Sequence, residues 1–104
     1  MVGFKISING HHVRTVSVGE FGSLTADVMW SRIQTVQGHI LEGIVVGARG
    51  LTGDDGDAVD WPKVELKLGD SVTITALDVA DEGDPPAGRM SREELRAAAA
   101  ALNG

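Results

Sequence analysis

Four aspartates crowd one glycine-rich stretch of this 104-residue chain. Asp54, Asp55, Asp57 and Asp60 sit among and just after Gly47, Gly50, Gly53 and Gly56, and Trp61-Pro62 closes the run. Clustered carboxylates are the raw material of a calcium loop, in which oxygen ligands alternate, glycine stands sixth and glutamate twelfth. Counted from Asp54, Glu65 falls at the twelfth position, but Gly56, Ala58 and Val59 take the third, fifth and sixth. Counted from Asp55, the twelfth residue is Leu66. The EF-hand pattern is broken. An irregular divalent-ion site from Asp55, Asp57 and Asp60 stands against the plainer reading of a solvated acidic loop, and no metal or cofactor is assigned. Trp61 borders the same loop. An exposed tryptophan beside carboxylates makes an anchor for a protein partner; turned inward, it is core. Asp54, Asp55, Asp57, Asp60 and Trp61 are therefore the candidate binding residues. Trp30, in phase with Leu24, Ala26 and Val28, is expected in the core.

Other chemistry finds little footing. His11, His12 and His39 are the only imidazoles, and neighbours on a regular strand point to opposite faces, so His11 and His12 cannot grip one ion together. There is no cysteine, hence no thiol nucleophile, disulfide or cysteine-ligated zinc. No Gly-x-Ser-x-Gly elbow and no phosphate loop occurs. The segment Gly47 to Gly53 is glycine-rich but matches no dinucleotide fingerprint and opens no helix. No catalytic residue is assigned, and the chain is expected not to be an enzyme.

The net charge is −6, and it is unevenly placed. Residues 1–50 carry four basic and three acidic side chains; residues 51–104 carry five basic and twelve acidic ones. An acidic surface repels phosphate backbones, so direct nucleic-acid binding is not expected, and four aromatic residues offer no stacking platform for single strands. The acidity fits a basic protein partner or plain solubility. No apolar run approaches the ~18 residues of a membrane span, and the first eight residues do not read as a signal peptide. A cytoplasmic location is expected, with no membrane partner.

The elements that would position these residues are mostly strands. Val2, Phe4, Ile6 and Ile8 alternate with smaller or polar residues, and Asn9-Gly10 follows as a hairpin turn. Pairing Phe4 with Val16 buries apolar side chains best and requires a bulge near Gly10–His12. Leu24 to Ser31 alternates as a third strand, and Ile40 to Arg49 is a fourth, with Ile44-Val45-Val46 suggesting burial on both faces. A helical stripe through Val28, Met29, Ile33 and Val36 is the competing reading. Val64, Leu66 and Leu68 are expected to pair with Ala76, Ile74 and Val72 across a Gly69-Asp70-Ser71 turn. Ser91, with Glu94 three residues on, is a capping box opening a helix over 91–102, with Met90 and Leu95 as its hydrophobic staple. The expected fold is a small antiparallel β-sandwich or open barrel of six to seven strands with one C-terminal helix. It divides into a β domain at 1–80, an acidic proline-containing linker at 81–90 and the helix at 91–104.

The Asn9-Gly10 turn, Gly19-Glu20-Phe21-Gly22-Ser23-Leu24-Thr25 running to Val28 and Trp30, and Gly47 to Leu51 with Trp61 after it form one ordered set. Leu66 to Ile74 and Asp84-Pro85-Pro86 complete it. In that order the chain resembles a group of small uncharacterised bacterial proteins, over most of residues 3–86. The resemblance implies a bacterial origin and no activity. The functional expectation is a non-enzymatic protein-interaction domain, in the manner of a small acidic inhibitor or immunity protein binding a basic partner. The alternative is a small-molecule or divalent-ion module that uses the 50–61 loop.

Overall fold

The structure is a computed structural model describing residues 1–53, 56–80, 83, 85, 86 and 88–103. Two antiparallel sheets face each other across a thin core. The first has the order β2-β1-β7, from β1 (Val2–Ile8), β2 (His11–Ser17) and β7 (Val72–Asp78). The second has the order β3-β4-β5-β8, from β3 (Gly22–Gln34), β4 (Ile40–Thr52), β5 (Ala58–Asp60) and β8 (Gly88–Met90). The two-residue β6 (Val64–Glu65) pairs with β4 lower down. The architecture is a mainly β, open sandwich with one short helix, α1 (Arg92–Asn103), and it is not a closed barrel. Among the described residues no helix is long and apolar enough to cross a membrane.

Local chemistry explains the first hairpin. Asn9 and Gly10 both have positive φ, 52° and 81°, as the two-residue turn that matches strand twist requires. The ladder runs Phe4↔Val16 as the burial argument demands, and the register shifts between Ile6 and Ser7, leaving Val13 as the extra residue. The bulge thus lies one residue beyond the expected Gly10–His12 stretch.

The third and fourth strands are longer than their alternation suggested. They form an unbroken ladder of thirteen pairs, from Gly22↔Thr52 to Gln34↔Ile40, and the helical alternative at 26–42 does not occur. A five-residue turn closes them, with the Thr35 N–H on the His39 carbonyl (2.7 Å) and the His39 N–H on Thr35 Oγ1 (3.0 Å).

The expected pairing of Val64–Leu68 with Val72–Ala76 does not form. Val64 pairs with Val46, while β7 crosses to the other sheet and pairs with β1, Ile74 opposite Ile6. The crossing is pinned at its corner. Asp70 accepts the Lys67 N–H (2.8 Å) and the Asn9 side-chain amide (2.9 Å), and Asn9 Oδ1 accepts the Ser71 N–H (2.9 Å). These bonds tie the 67–71 turn to the first hairpin and set β7 beside β1. Gly88–Met90, expected within a linker, is a strand: Ala58↔Met90, Val59↔Arg89 and Asp60↔Gly88. Ser91 caps α1, its hydroxyl accepting the Glu94 N–H at 3.1 Å, and Arg96–Ala101 are exposed along the helix.

The core is small. Ile6 and Val16 from the first sheet meet Val46, Ala48, Val59 and Trp61 from the second, with Phe4, Val18, Leu24 and Ala26 packed around them. All strands of the first sheet have seven residues against thirteen in β3 and β4. At ~3.3 Å per residue the β3–β4 hairpin therefore overhangs its cover by roughly 20 Å. The extents of 48 × 44 × 16 Å and the radius of gyration of 15.9 Å, against about 13 Å for a compact chain of this length, reflect that overhang.

Candidate functional site

Among the described residues, those singled out by the sequence form no metal-binding group. Asp54 and Asp55 lie outside the described residues. The Asp57 backbone belongs to the loop itself: its N–H donates to Thr52 Oγ1 (3.0 Å) and its carbonyl accepts the Thr52 N–H (2.8 Å). Asp60 is exposed on β5, opposite Arg49 on β4 and Gly88 on β8. Among the described residues no three His, Asp or Glu side chains stand close enough to hold a metal ion. His11 and His12 are exposed, and His12 Nε2 shares a hydrogen bond with Thr15 Oγ1 (3.0 Å).

The two tryptophans exchange the places expected of them. Trp61 is 2% exposed and lies in the core. Its N–H donates to the Ala48 carbonyl (3.0 Å), which turns the chain inward after β5. It has no surface to offer as a docking anchor in this fold. Trp30, expected in the core, is 63% exposed. It shares the face of Leu24 and Ala26, but it lies on the overhang, where the shorter first sheet no longer covers that face.

Trp30 is not isolated. Val28, Met29, Ile33, Val36, Ile40 and Leu41 are all about half exposed or more, and all belong to the same hairpin. Val28 and Trp30 point to the core-side face, with Val46 and Ile44 opposite them. Met29 and Ile33 point to the other, with Val45 and Leu41 opposite. The arm thus shows apolar side chains on both faces. Its four charges pair off: Arg32 with Glu42 (3.4 Å) and Arg49 with Asp27 (3.2 Å). Seven large apolar side chains exposed on one hairpin are uncommon on a monomeric protein and point to an interaction site. β6 supports β4 as far as Ile44, whose carbonyl accepts the Leu66 N–H (2.8 Å); beyond it the hairpin is two-stranded, and such a ribbon is marginal by itself.

The outer edge of β3 is equally open. The Thr35 N–H bonds to His39, and at the other end the Gly53 N–H bonds to the Phe21 carbonyl (2.8 Å). In an antiparallel ladder the bonded pairs recur every second residue. The odd-numbered residues of β3 therefore spend their backbone groups on β4. Leu24, Ala26, Val28, Trp30, Arg32 and Gln34 aim theirs outward, and among the described residues no strand pairs there.

A cleft of about 600 Å³ lies at the root of the arm on the side away from the core, among Thr25, Arg49, Leu51, Asp60, Gly88 and Met90. Arg49 and Asp60 are the charged groups on its wall. Compared with known proteins, the chain matches no family model, no curated protein and no solved structure.

The arm itself was hidden from sequence reasoning. Strict alternation over Leu24–Trp30 signals a half-buried strand, but it does not say where the opposing sheet ends. The available signal was length: thirteen residues in each strand, a hairpin too long for seven-residue partners to cover.

Proposed function

We propose that this chain is a non-enzymatic protein-interaction domain that binds through the β3–β4 arm. The observation that carries the reading is the group of exposed apolar side chains from Val28 to Val36 with Ile40 and Leu41, on both faces of a hairpin whose outer edge pairs with no strand among the described residues. Main-chain addition to such an edge supplies affinity, and alternate side chains supply specificity. Trp30 takes the anchor role that the loop suggested for Trp61, because an exposed aromatic ring surrounded by aliphatic neighbours is the kind of group that dominates interface energetics. The charges carried by the arm itself cancel in pairs, and the acidity of the second half serves solubility.

A photo-crosslinking residue placed at Ile33, 58% exposed on the arm, tests this in the cells that make the protein. It should yield a covalent protein adduct, while the same residue at Thr73, exposed on β7 of the other sheet, should yield none. Equal labelling at both positions, or no adduct at Ile33, would overturn the reading.

A further inference from the structure

We infer that the arm's partner is a second copy of this chain, joined edge to edge through antiparallel pairing of β3 with its two-fold mate. The inference rests on the interaction reading above and names its partner.

Natural sheet edges are guarded against such pairing by lysine, proline, bulges or cover. One edge of the first sheet, β2, shows such guards: it carries a bulge, and Val16 forms a bridge with Gly83. β3 shows none. It has no lysine and no proline over Gly22–Gln34, and its ladder with β4 runs through thirteen pairs without a shift. An unguarded edge of that length is a pairing surface.

The edge is complementary to itself. Two copies of one strand related by a two-fold axis normal to the sheet keep like faces together only when the axis passes through a residue. With the axis at Met29, Val28 of each copy meets Trp30 of the other on the core-side face. Ala26 meets Arg32, and Leu24 meets Gln34. All six outward-facing residues then fall in bonded pairs, so the seam satisfies twelve backbone hydrogen bonds that are otherwise left to water. The aromatic–aliphatic pair occurs twice at the centre, where cross-strand pairs contribute most when desolvated. Charge does not oppose the contact despite the net −6, because Asp27 and Arg32, the charged residues of β3, are held by Arg49 and Glu42 of the same hairpin.

The area fits a weak, reversible dimer. Eleven paired residues span about 36 Å. The molecule is 16 Å thick where its sheets are stacked, and beyond the cover the seam is one sheet, about 10 Å, deep, so the flat section is about 350–600 Å² per copy, or about 700–1,200 Å² in total, the size of a weak or transient interface. A dimer with a dissociation constant in the micromolar range fits that size.

The chain has no cysteine, so single-cysteine variants report the register directly. Met29→Cys places two thiols opposite each other in a non-bonded pair, the close spacing that permits a disulfide. Under mild oxidation at tens of micromolar, Met29→Cys should form a covalent dimer at least tenfold faster than Thr25→Cys or Ile33→Cys alone. An equimolar mixture of Thr25→Cys and Ile33→Cys, which face each other across the seam, should form the mixed dimer. All three side chains are exposed, so folding is not at stake. In sedimentation equilibrium the unmodified chain should dimerise. Val28→Pro, which removes an outward N–H and leaves the β4 ladder intact, should raise the dissociation constant at least tenfold. A chain monomeric up to several hundred micromolar, or equal crosslinking at positions 25, 29 and 33, would overturn the inference. If that happens while Ile33 still captures a different protein in cells, the second-copy inference fails and the interaction reading stands. If Ile33 captures nothing either, both fail.

Discussion

Trp61 and Trp30 show how burial, not residue type, assigns a role. Trp61 fills the thin core between the sheets, so Trp61→Ala should destabilise the fold by about 3–5 kcal/mol, the range for deleting a buried aromatic. Trp30→Ser should change the stability of the dilute monomer by less than about 0.5 kcal/mol, as surface substitutions do, while weakening association. Denaturant unfolding at low protein concentration distinguishes the two, and the opposite ranking would contradict the placement of the rings. Asp70 works through hydrogen bonds. The Lys67 N–H, and then the Asn9 amide, hold its carboxyl below the ordinary carboxylate value. A carboxyl lowered by folding stabilises the fold fully above its unfolded value, and that contribution fades as pH falls through the lowered one. The melting temperature of Asp70→Asn should therefore lie below that of the parent at about pH 7, and the gap should narrow as pH falls below the ordinary carboxylate range. A gap independent of pH would contradict this role.

At the level of elements, the sequence was most legible where a local rule fixes geometry. Asn9-Gly10 specified its hairpin, Ser91 its helix start, and Phe4 and Val16 their register. It was least legible where choice depends on distant partners. Val64–Leu68 and Val72–Ala76 alternate in phase and look like a hairpin, yet Asn9 captures the turn between them and draws β7 to β1. Gly88–Met90 reads as linker because a three-residue strand has no periodicity to detect. The root of the arm depends on closely packed glycines, Gly50 among them. A Cβ on Gly50 would come within 2.7 Å of Val18 Cγ1 and would press on the Ser23 carbonyl, where β3 and β4 must approach beneath the core. Gly50→Ala should cost about 1–3 kcal/mol, the range for overpacking. Gly43→Ala, on the same strand, meets nothing within 4 Å and should be nearly silent. Thermal melts of the two variants check the contrast.

The whole molecule is a small sandwich with a long hairpin built out from it. Six buried apolar side chains hold the sandwich, and the hairpin extends past them with apolar side chains on both faces. The candidate site was illegible in the sequence for that reason. The alternation of Leu24, Ala26, Val28 and Trp30 is continuous, but the cover stops part-way along it, and only the three-dimensional extent of the first sheet reveals where. The outer edge of β3 is open in the isolated chain and, on the second-copy reading, closed by its two-fold mate. Residue-resolved amide hydrogen exchange tests it most directly. In dilute protein the outward amides of Ala26, Val28, Trp30 and Arg32 should exchange roughly a hundredfold faster than those of Asp27, Met29 and Ser31, which bond to β4. At high concentration the outward set should slow towards the inward set. Outward amides already protected at the lowest concentration, or equally fast at every concentration, would contradict it.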